Sequence, residues 1–167
     1  MIRTIASSLV CVGLAAPAAA QTALPKEGPV ELTQIFQSTL QTVVLDKEFT
    51  QFAYEAYGST LAAKEGGFGD RVTGRCLGSS RVIKGKLETE IGGCEYTDRS
   101  GDKFYYAYTG SATDMPGTAI IKGTYIGGTG KYAGITGAAE SRRQILPSPG
   151  AGRGASVSHT KGAYKLP

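Results

Sequence analysis

GTYIGGTGKYAGITG, residues 123–137, decides the fold. Its opening, with Ile120 and Ile121 before it, is rich in β-branched and aromatic residues, the composition of a pleated strand. Glycines then crowd in. Gly127, Gly128, Gly130 and Gly134 supply positive φ or close backbone approach, and Gly137 opens the next run. The chain is therefore expected to fold over tightly and set Tyr132 against whatever lies beneath. The stretch has neither the full dinucleotide-binding spacing nor a Walker Lys followed by Ser or Thr. Its surroundings read strand-turn-strand, with no βαβ unit to aim a helix N-terminus at a phosphate. The glycines make a structural turn.

Outward from that turn, short strand-like runs alternate with Gly, Asp and Ser clusters. Strands are expected near 49–59, 69–83, 86–97, 103–111, 118–126, 135–145 and 154–165, with room for an eighth before Phe49. Sequential antiparallel strands in this number favour a closed all-β barrel, which leaves no exposed edge. Residues 98–102 and 147–154 read as turns, the second at one mouth of the barrel. Upstream, Leu32, Ile35, Phe36, Leu40, Val43 and Val44 recur at helical spacing, so 31–45 is expected as an amphipathic helix covering one end. The β-branched run 42–45 would equally open a strand, and both readings stand.

Alternation assigns faces. In 72–82 the even positions are Val72, Gly74, Cys76, Gly78, Ser80 and Val82, while Arg71, Thr73, Arg75 and Arg81 are odd. The charged face must meet water, so the even face is expected inside. If the hairpin turns about Gly85, Cys76 lies opposite Cys94. Directly opposed residues have Cα separations of about 4.5 to 5.5 Å, a span a disulfide bridges. That bond would stabilise the fold by roughly 3 kcal/mol. The same register sends Glu88 and Glu90 inward, which is costly unless they are paired or wet. Either Gly92 and Gly93 bulge and reverse the facing, which is the favoured reading, or this rim of the barrel is polar.

Residues 127–137 resemble the late-barrel signature of allene oxide cyclase and dirigent barrels. The resemblance is closer still to exported bacterial proteins of that barrel type, which also carry a Cys, Cys-Glu-Tyr-x-Asp and Gly-Asp-Lys, here Cys76, Cys94 to Asp98, and Gly101 to Lys103. It spans residues 49–165 and implies the barrel fold. It also implies assembly as a homo-oligomer, since such barrels often form trimers.

Residues 1–20 read as an export signal, with Arg3 as the charged region, an apolar core over 5–14 and small residues Ala18 to Ala20 at the cleavage site. The apolar run, which contains Cys11, is too short to span a bilayer. The layout expected is signal 1–20, lead-in 21–48 carrying a helix or first strand, and barrel 49–167, in a periplasmic or secreted protein. Losing Arg3 lowers the formal charge from +4 to +3, with both signs spread along the chain, too mild for a nucleic-acid partner.

Chemistry is thinly signalled. There is no Gly-x-Ser-x-Gly elbow, and the single histidine, His159, has no recognisable partner. One histidine and two cysteines expected to pair leave only carboxylates as ligands, so no metal is expected, and no cofactor is implied. Asp46, Glu48, Glu55, Glu88, Glu90, Glu95, Asp98 and Asp102 offer many carboxylate pairs, none singled out by spacing. The leading expectation is a barrel that binds a small, largely apolar molecule, with Tyr54, Tyr57, Tyr106, Tyr108 and Tyr125 as candidate lining residues. Core packing would use the same rings. The resemblance to allene oxide cyclase implies an alternative, a cofactor-free cyclase or isomerase with a carboxylate beside developing positive charge, although no catalytic residue carries over. A filled barrel serving as a structural envelope protein is the third reading.

Overall fold

The computed structural model describes residues 24–111, 113–114 and 117–167. The expected export signal therefore lies outside the described residues. Nine strands follow in order: β1 (Glu27–Val44), β2 (Phe49–Ala62), β3 (Val72–Ile83), β4 (Lys86–Thr97), β5 (Lys103–Ser111), β6 (Thr113–Asp114), β7 (Thr118–Gly128), β8 (Thr136–Leu146) and β9 (Arg153–Lys165). Neighbours run β3-β2-β1-β9-β8-β7-β5-β4, and β3 pairs back onto β4, so eight long antiparallel strands close into a barrel. The two-residue β6 adds to the start of β4. No helix among the described residues is long and apolar enough to cross a membrane.

The helix expected over 31–45 is corrected: β1 is one strand of 18 residues paired on both sides. Spacing misled because positions 32, 36, 40 and 44 share a helix face and are also all even, hence one face of a strand. Ile35, which a helix would have buried, stands 54% exposed on the outer side.

Even positions of β1, β2, β3, β5 and β9 and odd positions of β7 and β8 point inward. The β3–β4 register pairs Cys76 with Cys94, as the hairpin about Gly85 requires, and the two form a disulfide with Cα atoms 4.1 Å apart. The bulge favoured at Gly92 and Gly93 is not there. The register slips instead between Arg81 and Val82, leaving Glu88 as the extra residue on β4. Glu88 is thereby turned to solvent, Leu87 goes inside, and Glu90 keeps its inward direction.

The barrel has two unlike ends. At one, the 63–71 loop folds Phe68 into the opening, where its ring stacks on Tyr164 at 4.4 Å and meets Phe104, Tyr125 and Tyr132 within 5.9 Å. Tyr132 arrives there on the glycine turn: Gly127, Gly130, Gly134 and Gly137 have positive φ, and a Cβ on Gly128 would sit 2.6 Å from the Tyr132 carbonyl. Above this plug a polar belt crosses the interior. Thr160 donates to Gln34 Oε1 (2.7 Å), Gln34 donates to Tyr96 (2.9 Å), and Ser141 bonds Thr160 (2.6 Å). The other end, where turns 45–48, 84–85 and 147–152 lie, is open among the described residues.

Candidate functional site

The open end leads into a cavity of about 140 Å³. Its walls are apolar, from Phe36, Leu40, Phe52, Leu87 and Ile145, and its polar members include Tyr54, Glu90 and Arg143. Glu90, only 3% exposed, is delivered by β4 immediately beyond the bulged Glu88. Arg143 reaches it from β8 across the barrel and grips it through both guanidinium ends, Nη1 donating to Oε1 at 2.8 Å and Nη2 to Oε2. Tyr54 donates its hydroxyl to Glu90 Oε1 at 2.5 Å, and Tyr108 bonds the Tyr54 hydroxyl at 2.5 Å. With the Tyr54 proton committed to Glu90, Tyr108 is the donor in that second bond.

Glycines open the space for these phenols. A Cβ on Gly78 would lie 2.5 Å from the Tyr54 hydroxyl, and one on Gly92 would lie 2.4 Å from that of Tyr108. The two glycines flank Glu90 on β3 and β4, so the small residues of the cysteine hairpin fix where the rings end.

Electrostatically the cluster is closed on itself. Burial, reinforced by the Glu90 charge, holds the Tyr54 hydroxyl far above the tyrosine range. Burial pushes Tyr108 up to about 12, so both phenols stay neutral donors. Burial alone would lower the Arg143 guanidinium, but its bonds to Glu90 outweigh that and raise it. The negative charge of Glu90 is thus matched by a bidentate cation, the geometry in which a buried pair is best compensated. Arg143 Nε has no hydrogen-bond partner among the described residues. Such a cluster presents a fixed dipole under an apolar chamber.

Of the five tyrosines expected to line the site, Tyr54 lines the cavity and Tyr108 stands behind it, bonded to the Tyr54 hydroxyl. Tyr106 lies deeper, donating to the Ala139 carbonyl at 2.8 Å, and Tyr125 packs in the plug against Phe68 and Phe104. Tyr57 points outward, its hydroxyl on Glu55 and its ring beneath the Arg75 guanidinium. His159 is also outside, 3.3 Å from the Thr33 hydroxyl. Asp98 forms the β4–β5 turn by accepting from the Ser100 and Asp102 amides. Sequence reasoning missed Arg143, which falls within the strand expected near 135–145. The available signal was parity: Gly137, Ala139, Ser141 and Ile145 share its face, which makes Arg143 the only charged residue pointing inward from β8.

A larger hollow of about 810 Å³ lies on the outer face of β4, β5, β7 and β8, open to solvent. It is floored by small residues such as Ala107 and Ala138, and the Lys122–Glu140 pair (3.5 Å) stands in its wall.

No family model matches the chain, and no curated protein matches its sequence. Among solved structures it is similar to the pterocarpan synthase dirigent protein GePTS1, with a TM-score of 0.51 and 12% identity, covering 85% of this chain and 93% of that one. That likeness concerns the backbone alone, and it agrees with the strand order found here: the chain is a closed, eight-stranded antiparallel barrel of the dirigent-like fold.

Proposed function

We propose that this is an exported binding barrel that takes a small, largely apolar molecule, or one end of a larger one, through its open end. The observation that carries the reading is the asymmetry of the interior, aromatic and filled at one end, but at the other an apolar chamber over a hydrogen-bonded ion pair. A chamber near 140 Å³ holds about one aromatic ring or a short chain, by comparison with dry engineered cavities of about 150 Å³ that take benzene. Export is supported by the signal-like residues 1–20 and by the disulfide, which persists in oxidising compartments. The homo-oligomer implied by the resemblance belongs to the same reading.

A second reading, a cofactor-free cyclase or isomerase, draws on Glu90 as a buried carboxylate facing the chamber. Its pairing with Arg143 favours binding over proton abstraction, because the charge that would drive abstraction is already neutralised.

Native mass spectrometry of protein purified gently from its own compartment tests both. A reproducible extra mass that leaves on denaturation, and is absent from a Glu90→Leu/Arg143→Met double variant, supports a ligand in this chamber. A clean apo mass, even after addition of a lipid and phenolic extract, sinks the binding reading in favour of a packed envelope barrel. Conversion of the recovered molecule on re-incubation would establish the cyclase instead.

A further inference from the structure

We infer that the barrel docks by its open end on an anionic lipid surface, through the tip of the β1–β2 hairpin. The inference is independent of what the chamber binds. β9 pairs with β1 only as far as Thr39 opposite Arg153, whereas β2 follows β1 to Val44 opposite Thr50. The last five residues of β1 therefore overhang β9 by about 15 Å. At the end of the overhang Val43, Val44 and Leu45 are 57%, 65% and 67% exposed. Successive strand residues face opposite ways, so the tip is apolar on both sides, and no described residue covers it.

The tip is a built feature. Asp46 Oδ1 accepts from the Glu48 and Phe49 amides at 2.7 and 2.8 Å, locking the turn that presents the three side chains. Other turns of the barrel carry polar tips: Lys84-Gly85, Asp98 to Asp102, and Lys64 to Gly67.

Charge selects the partner. The acids of the hairpin itself are engaged, Asp46 with its own turn and Glu48 with Lys84 at 4.0 Å, while Glu88 stands exposed on β4 beside Arg81. Three cations are not engaged. Lys47 sits on the tip, Arg81 shares the rung Val43–Gln51–Arg81, and Arg153 begins β9 on the other flank. All three are exposed and form no ion pair among the described residues. An apolar point flanked by uncommitted cations matches an anionic bilayer, with the side chains in the acyl boundary and the cations at the headgroups. Docked this way the protein lies on the membrane without spanning it, with its chamber facing the lipid.

Flotation of the mature chain with vesicles tests this. The expected result is co-flotation with an equal mixture of phosphatidylglycerol and phosphatidylcholine, weakened by salt, and little with phosphatidylcholine alone. Val44→Glu/Leu45→Glu should lower the bound fraction about 10-fold while circular dichroism and thermal midpoint stay unchanged. Lys47→Glu/Arg81→Glu should remove the preference for anionic vesicles. Absence of flotation by the unaltered protein, or flotation unaffected by the tip variant, overturns the inference. So does sedimentation showing that the tip variant abolishes self-association with no lipid binding in either form, which would assign the tip to a second copy.

Discussion

The two ends of the barrel are made by the same eight strands yet solve opposite problems. At the closed end, Phe68 and Tyr132 come in from the 63–71 loop and the glycine turn and complete an aromatic cluster. At the open end the interior polar groups sit at the centre, and they bond one another: Glu90 with Arg143 and Tyr54, Tyr54 with Tyr108. An aromatic plug gains by excluding water, and any loss of volume weakens it. A buried ion pair contributes little net stability but is costly to break. The difference teaches that one end is built for stability, while the other keeps a cavity at a tolerable cost.

The largest expected effect tests both ends together. Burial raises Tyr106 and Tyr108 to about 12 and Tyr54, Tyr96, Tyr125 and Tyr132 further still. A folded pKa above the unfolded value near 10 gives stability that is complete below about pH 10 and lost as pH rises through about 12. The barrel should therefore unfold cooperatively in strong alkali, with these tyrosines ionising in one step by tyrosinate absorbance. Reversible ionisation of a subset before the circular dichroism changes would show one end to be wetter than the other.

Next come single substitutions at each end. Glu90→Leu strands the Arg143 charge and should cost about 3–5 kcal/mol in urea unfolding, most of it recovered in Glu90→Leu/Arg143→Met. Phe68→Ala should cost about 3–4 kcal/mol while leaving the mass of any ligand bound at the open end unchanged. If Phe68→Ala released that ligand and the double variant kept it, the assignment of the two ends would be reversed. Replacing both cysteines with Ala should cost about 3 kcal/mol, measured against the oxidised parent. Smallest of all, Leu45→Ala should stay within about 0.5 kcal/mol of the parent, since the exposed tip contributes nothing to packing.

What the sequence showed was what neighbours in the chain decide. The glycine turn that seats Tyr132 and the rung joining Cys76 to Cys94 are local, so composition and register sufficed. β1 was ambiguous because every fourth residue belongs to one face in a helix and in a strand alike. The Glu90–Arg143 pair was not legible, since its members are 53 residues apart and meet only across the closed barrel. The inward course of Glu90 also depended on a bulge that expels Glu88, and nothing in residues 86–92 marks which carboxylate will be the extra one.

The seam of the barrel joins its first strand to its last, Glu27 standing opposite Lys165. Consecutive strands can zip into hairpins as they are made, but β1 keeps one bare edge until β9 exists. The closing step is therefore the most distant pairing in the chain, and such topologies reach the native state in about milliseconds to seconds. Before that pairing forms, the outer edges of β1 and β9 are unsatisfied, and an unpaired edge is a template on which β1 of one copy can meet β9 of another. A variant that weakens the β1–β9 seam would therefore raise aggregation during refolding more than its loss of native stability alone predicts.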